Sequence, residues 1–146
     1  MGVAHSKYFE GPYERLKDEP IFRFDDTHDH VEDAYVWREE GQFKLIMKDM
    51  NGGICGEKGG GIHAASLDGV NWTIADPPQA YSRKVLWDDG TTTEQGHLER
   101  PQLLIENGRP THLFFATGDG PGGFTQMTRT WNMVIPLSDL NAKGTE

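Results

Sequence analysis

Short runs of strand-forming residues, each closed by a turn signal, organise much of the chain. The segment 32–47 turns at Glu40-Gly41, and the segment 99–116 turns at Asn107-Gly108. Asn-Gly favours a two-residue hairpin turn because both positions tolerate positive φ. Each segment therefore predicts a β-hairpin whose first strand opens with an acidic residue.

The two hairpins form an internal repeat. They lie 67 positions apart, both at the leading acids Glu32 and Glu99 (99 − 32) and at the turn glycines Gly41 and Gly108 (108 − 41). The complete unit has an inner strand, a second strand, a glycine loop, a third strand, a Ser/Asp-Gly turn and an aromatic outer strand. Four antiparallel strands repeated in this way are typical of a β-propeller blade. We therefore predict an all-β fold, a partial (about half) β-propeller of four-stranded antiparallel blades.

The blade count sets the expected domain organisation. We predict that residues 1–146 form a single domain, in which 1–29 end a preceding blade, 30–82 form a complete blade and 96–140 form a further one. Closed propellers usually have four to eight blades. The ring is therefore expected to be completed by oligomerisation, as a homodimer, and the compact alternative is an ordinary small β-sandwich.

Composition agrees with a turn-rich β protein and limits the partners. The chain has 18 Gly, 8 Pro and a net charge of -9 at pH 7. This charge repels phosphate backbones, so we expect a neutral polar ligand or a cation rather than nucleic acid. The lone Cys55 excludes an intrachain disulfide. With no basic, apolar leader and no membrane-spanning stretch, we expect no membrane partner and a cytoplasmic location.

Two acidic residues are the candidates for catalysis. Asp33 and Glu99 open the inner strands, and inner strands of a propeller point their first residues towards the central axis. A converging pair of carboxylates is the machinery of glycoside hydrolysis. Glu32 is the rival of Asp33, because neighbours on a strand point to opposite faces. The structural alternatives are a salt bridge of Glu99 to an arginine such as Arg100, and a strand-end carboxylate at Asp33 bonded to backbone amides.

Four segments together resemble a known enzyme family. They are "VEDAYVW", "GQFKLIMKD", "HAASLDGVNW" and "LERPQLLIENGRPTHLFFA", and they look like the five-bladed propeller glycoside hydrolases, the arabinanase and xylosidase-type family 43 and its relatives. The resemblance implies that Asp33 modulates a pKa, with Ala34 in place of the family's proline. It also implies that Glu99 is the general acid, with Arg100 in place of the family's glycine. The family's general base comes from a preceding blade that this chain lacks.

Other residues are candidates for binding a carbohydrate. His63 and His97 could bind a sugar hydroxyl, Glu32 and Arg100 lie beside the acids, and Trp37 could stack on a sugar ring or pack in the core. Further stacking candidates are Tyr35, Tyr81, Trp87 and Trp131. We predict no metal site at residues 25–30, which fit a solvated loop better, and no cofactor; a structural cation in the propeller channel is left open.

Three functions remain open on the sequence. The first is a glycoside hydrolase whose site is completed by another chain. The second is a non-catalytic carbohydrate-binding half-propeller, and the third is a structural fragment that homodimerises through its exposed sheet edges.

Overall fold

The computed structural model describes residues 1–120 and 123–137 of the chain. Its strands are β1 (Ala4–His5), β2 (Glu14–Arg15), β3 (Val31–Glu39), β4 (Gln42–Asp49), β5 (Gly61–Ser66), β6 (Thr73–Tyr81), β7 (Lys84–Leu86), β8 (Thr92–Glu94), β9 (His97–Glu106), β10 (Arg109–Asp119) and β11 (Arg129–Pro136), with a short 3₁₀ turn at Gly123–Gln126.

The strands form small antiparallel sheets. The largest has the order β3-β4-β5-β6, a second has the order β11-β10-β9, and β1-β2 and β7-β8 are two-stranded. Every pairing is antiparallel. The predicted all-β class is confirmed, and the sheets are those of a partial propeller-like fold. Completion by oligomerisation stays a prediction.

The chain divides into two compact units. Unit 1 covers Met1–Ser82 and unit 2 covers Arg83–Glu146. Unit 1 contains the four-stranded sheet, and unit 2 contains the β7-β8 hairpin and the three-stranded sheet. The assignment of 1–29, 30–82 and 96–140 to blades stays a prediction.

Unit 1 buries one face of its sheet. Alternate residues of β4 and β5 face the same side, and with one residue from the preceding segment they form the core: Phe22, Leu45, Met47, Ile62 and Ala64. Trp72 packs against this cluster, with its ring centre 6.2 Å from that of Phe22. Burying each large apolar side chain stabilises the fold by about 1.5–3 kcal/mol.

The repeat read from the sequence has the same backbone geometry in both units. Glu40 and Gly41 have φ values of 51° and 80°, and Asn107 and Gly108 have values of 52° and 79°. Positive φ at both positions is the geometry of the tight hairpin turn. The predicted hairpins at Glu40-Gly41 and Asn107-Gly108 are confirmed.

A β-bulge lies near the start of the first strand of each hairpin. In β3, residues 33 and 34 lie between the paired residues Glu32 and Tyr35, opposite the single residue 47. In β9, residues 100 and 101 likewise lie between Glu99 and Gln102, opposite residue 115. The first bulge residue is left-handed in both strands, with φ of 56° at position 33 and 53° at position 100. Glycine usually occupies this position of such a bulge.

Asp49 organises the loop that follows β4. It is fully buried, and its carboxylate accepts bonds from the backbone amides of Gly52 (2.8 Å), Ile54 (2.9 Å), Cys55 (2.9 Å) and Asn51 (3.3 Å). Burial by itself raises the pKa of Asp49, but the amides of Cys55, Ile54 and Gly52 outweigh burial and hold the pKa below its usual value.

A second turn connects β5 to β6. The Ser66 hydroxyl accepts the Gly69 amide (2.9 Å), and Asp68 accepts the Asn71 amide (2.8 Å). The bond from the Asn71 amide is the largest of several that lower the pKa of Asp68. The Trp72 indole donates to the Gly69 carbonyl at 2.9 Å. The turn thereby holds Trp72 in its position against the core.

Asp49→Asn is expected to lower the free energy of unfolding by about 3 kcal/mol. An amide offers one acceptor oxygen to the four N–H donors and places its own NH₂ against them. Urea unfolding followed by tryptophan fluorescence measures the change. The matched control is Asp18→Asn, an exposed position of the same unit, which should change stability little.

Acidification provides a second readout for the same variant. The folded-state pKa of Asp49 lies below the ordinary value of 3.8. The ionised carboxylate therefore contributes fully to the free energy of unfolding above the ordinary pKa, and this contribution is lost as the pH falls through the folded-state pKa. The stability difference between wild type and Asp49→Asn should be constant from about pH 7 to 5 and shrink below about pH 4. An equal difference at pH 3 would contradict a role for the ionised carboxylate.

Arg100→Gly is expected to raise the free energy of unfolding by about 0.5–1 kcal/mol. Relief of the left-handed conformation is worth about 1–2 kcal/mol and exceeds the added backbone entropy of glycine, about 0.5–1 kcal/mol. Arg100→Ala keeps the β-carbon and should bring no gain in the same denaturation experiment. An equal effect of both variants would show that the side chain, and not φ, decides stability here.

Candidate functional site

A cleft of about 400 Å³ opens on unit 2 and contains three of the predicted site residues. His97, Glu99 and Arg100 line it from β9, and Trp131 and Asn132 line it from β11. The cleft therefore combines a carboxylate, an imidazole, a guanidinium and an amide. Trp131 pairs with Thr117, which pairs with Leu98, so its indole lies on the other face of the sheet. A lining of this kind suits a polar ligand.

Strand register brings these side chains together. Glu99 pairs with Ala116 of β10, and Ala116 pairs with Asn132 of β11. His97 pairs in the same way with Gly118, which pairs with Thr130. At these two positions the middle strand, β10, has only the methyl group of Ala116 and the hydrogen of Gly118 in place of larger side chains. The small residues of β10 thus leave space between the functional groups of β9 and β11.

His97 and Glu99 are held on a well-anchored segment of backbone. The His97 carbonyl accepts the buried Thr117 hydroxyl at 2.7 Å, and the Arg83 guanidinium donates to the carbonyls of Gln95 (3.0 Å) and Gly96 (3.2 Å). The His97 side chain is buried, that of Glu99 is half-buried and that of Arg100 is exposed. The bulge after Glu99 places the exposed guanidinium at the rim of the cleft.

Glu32 and Asp33 share a partner in unit 1. The Lys48 ammonium lies 3.3 Å from a Glu32 carboxylate oxygen and 4.0 Å from an Asp33 oxygen. Lys48 is only 4% exposed. The expectation that these neighbours point to opposite faces is wrong here, because the bulge at residues 33 and 34 interrupts the alternation of the strand. By its place before the bulge, Glu32 is the counterpart of Glu99.

His63 and Trp37 lie in unit 1 with local partners. The His63 ring Nε2 is 3.1 Å from the Pro77 carbonyl, and the Trp37 indole donates to Glu39 at 3.1 Å. Trp37 is half-buried and adjoins Val36, which pairs with the core residue Leu45. Since neighbours on this regular part of β3 alternate, Trp37 lies on the face opposite the core.

Neither a metal cluster nor a membrane helix occurs in the described ranges. Residues 1–120 and 123–137 contain no group of three or more His, Cys, Asp or Glu side chains arranged to hold a metal ion. Within segment 25–30, Asp29 accepts the Thr27 hydroxyl at 2.6 Å, and Asp25 pairs with Arg23. Over the same described ranges, no helix has the length and hydropathy needed to cross a membrane.

Sequence reasoning missed five residues that line the cleft, namely Ala116, Thr117, Met127, Thr130 and Asn132. The run "FFATGD" at 114–119 breaks from large aromatic to small residues within one strand, and this change was the available signal. Thr130 and Asn132 gave no such signal, because their place depends on the pairing of β11 with β10.

Comparison with known proteins identifies the fold and leaves the family open. No family model and no curated protein matches the sequence. The chain is similar to a solved structure described as a complex of BT0996 and RGII, with a TM-score of 0.63 and 14% identity over 99% of this chain and 37% of that one. It is also similar to a structure named "Glycoside hydrolase", with a TM-score of 0.61 and 14% identity over 99% of this chain and 38% of that one. The chain spans less than two fifths of the length of both structures, and it has a glycoside hydrolase-like fold.

Proposed function

We propose that this protein acts on a carbohydrate and that the Glu99 cleft of unit 2 is its sugar-binding site. The observation that carries the proposal is the gathering of His97, Glu99, Arg100 and Asn132 around one cleft. Hydroxyl groups of a sugar match these polar side chains. The names of the two similar structures, a glycoside hydrolase and an RGII complex, point to the same class of ligand.

Within this proposal Glu99 is the general acid. A glycosidase acid donates a proton to the leaving oxygen, and it must reach that oxygen from the wall of the sugar site. Glu99 lines the cleft and is half-buried. His97 and Arg100 would bind neighbouring hydroxyls. Asp33 is proposed as the residue that modulates a pKa, with Glu32 as the alternative. His63 and Trp37 are proposed as further residues that contact the sugar.

The remaining parts of the enzyme are also proposals. We propose that the protein belongs to the family 43-like enzymes, that it is part of a five-bladed propeller and that it is located in the cytoplasm. The general base would come from another polypeptide segment, since hydrolysis requires a second carboxylate to activate water or attack the sugar.

A non-catalytic carbohydrate-binding function is the second candidate. Among the described residues that line the cleft, Glu99 is the only carboxylate. A sugar could therefore bind there without being cleaved.

Glu99→Gln is expected to reduce cleavage of aryl glycosides at least 100-fold, on the order of a lost general acid, with a melting temperature close to that of wild type. The assay is a panel of nitrophenyl glycosides, in parallel with calorimetric sugar binding. Glu106→Gln, an exposed substitution on the same strand, is the matched control and should leave cleavage unchanged.

This experiment distinguishes the two candidate functions, a glycoside hydrolase and a non-catalytic carbohydrate-binding protein. Sugar binding without cleavage by wild type would favour the binding protein over the enzyme. If wild type neither binds nor cleaves any sugar, and Glu99→Gln only loses stability, a structural role replaces both.

We further propose that the protein forms a homodimer that supplies the missing blades. Light scattering coupled to gel filtration at micromolar concentration should give twice the chain mass of 16.4 kDa. A monomer under these conditions would contradict the proposed assembly.

A further inference from the structure

The outer edge of β11 is open in the described part of the chain. β11 is an edge strand of the three-stranded sheet, whose order is β11-β10-β9. Within residues 1–120 and 123–137, no strand pairs with β11 on the side away from β10. The third strand of the unit 1 sheet, β5, has a fourth strand, β6, on the corresponding side. One row of β11 backbone groups is therefore available to a further strand.

The other edges of the two larger sheets have features that hinder pairing with another chain. β3 and β9 are interrupted by bulges and carry several charged side chains. β6 contains Pro77 and Pro78, which have no backbone N–H to donate. β11 has a regular register with β10, and its only charged residue, Arg129, and its only proline, Pro136, lie at its two ends. An edge without such features is a template for another strand.

Every second residue of β11 directs its backbone groups outward. The Leu137 amide donates to the Thr111 carbonyl of β10 at 2.9 Å, and the direction of the backbone groups alternates along a regular antiparallel pair. The N–H and C=O groups of Thr130, Asn132 and Val134 therefore point away from β10. The same three side chains are exposed, and Val134 is 51% exposed.

The edge of β11 is complementary to a second copy of itself. When Asn132 lies opposite Asn132 of the partner subunit, Thr130 lies opposite the partner's Val134. In this antiparallel register, all three outward N–H groups of each copy meet outward carbonyls of the other. Arg129 then lies opposite the partner's Ile135, so no like charges face each other. A two-fold contact uses the same surface on both copies and closes at two.

We propose that two copies of this chain associate by antiparallel pairing of their β11 edges about a two-fold axis at Asn132. The inference rests on the homodimer proposed above and names the surface that forms it. Thr130 and Asn132 also line the Glu99 cleft, so the contact places the partner's Asn132 beside that cleft.

Val134→Lys tests the contact at a residue that does not line the Glu99 cleft. Because a lysine on an edge strand opposes pairing, the dimer dissociation constant from sedimentation equilibrium should rise about tenfold or more. The matched control is Leu104→Lys on β9, the opposite edge of the same sheet, where the leucine is 42% exposed. The control should leave the dissociation constant unchanged, and urea unfolding verifies that both variants are folded.

Amide hydrogen exchange of the wild type is a second measurement that needs no variant. The amides of Thr130, Asn132 and Val134 should exchange about tenfold more slowly in the dimer than after dilution to the monomer. The amides of Trp131 and Met133, which point towards β10, should be slow in both states. Slow exchange of the three outward amides at every concentration would show that the edge is covered within one chain and would overturn the proposal.

The outcomes distinguish this contact from the homodimer itself. A dimer that Val134→Lys weakens no more than Leu104→Lys does would overturn the β11 contact and leave the homodimer in place. A wild-type monomer at every concentration would overturn both.

Discussion

The left-handed bulge in the first strand of each hairpin is the constraint on which the candidate site depends. Inserting one residue opposite a single partner shifts the alternation of side chains by one position. In β9 the shift comes after Glu99 and places Arg100 at the rim of the cleft. In β3 the shift allows the carboxylates of Glu32 and Asp33 to lie near the same ammonium group, that of Lys48. Arginine is costly in this conformation, whereas glycine is not. Strain of this kind is typical of functional sites.

Polar groups hold the loops of unit 1 in place, and apolar groups hold its sheet. Asp49 satisfies backbone amides that a buried loop would otherwise leave without acceptors. The Ser66-Asp68 turn does the same on the surface and anchors Trp72 to the core. Asp49 and Asp68 of unit 1 are therefore structural, and the carboxylate proposed as the general acid lies in the open cleft of unit 2.

Fold and function rest on different observations. A likeness at 14% identity shows the shared architecture, and one fold can host many activities. The lining of the Glu99 cleft, in which a carboxylate, an imidazole, a guanidinium and an amide adjoin one another, supports the carbohydrate proposal.

The sequence by itself determined the features that depend on local conformation. Asn107-Gly108 tolerates positive φ at both positions and Glu40-Gly41 at its glycine, so the hairpins and their 67-residue repeat could be predicted from neighbouring residues alone. Glu99, His97 and Arg100 were also found, because they share one strand. The tertiary structure alone decided that Asn132 and Thr130 join them, and that Lys48 faces both Glu32 and Asp33. The reason is register: moving a strand by one residue exchanges its two faces, and neither the bulges nor the pairing of β11 is encoded in a local pattern.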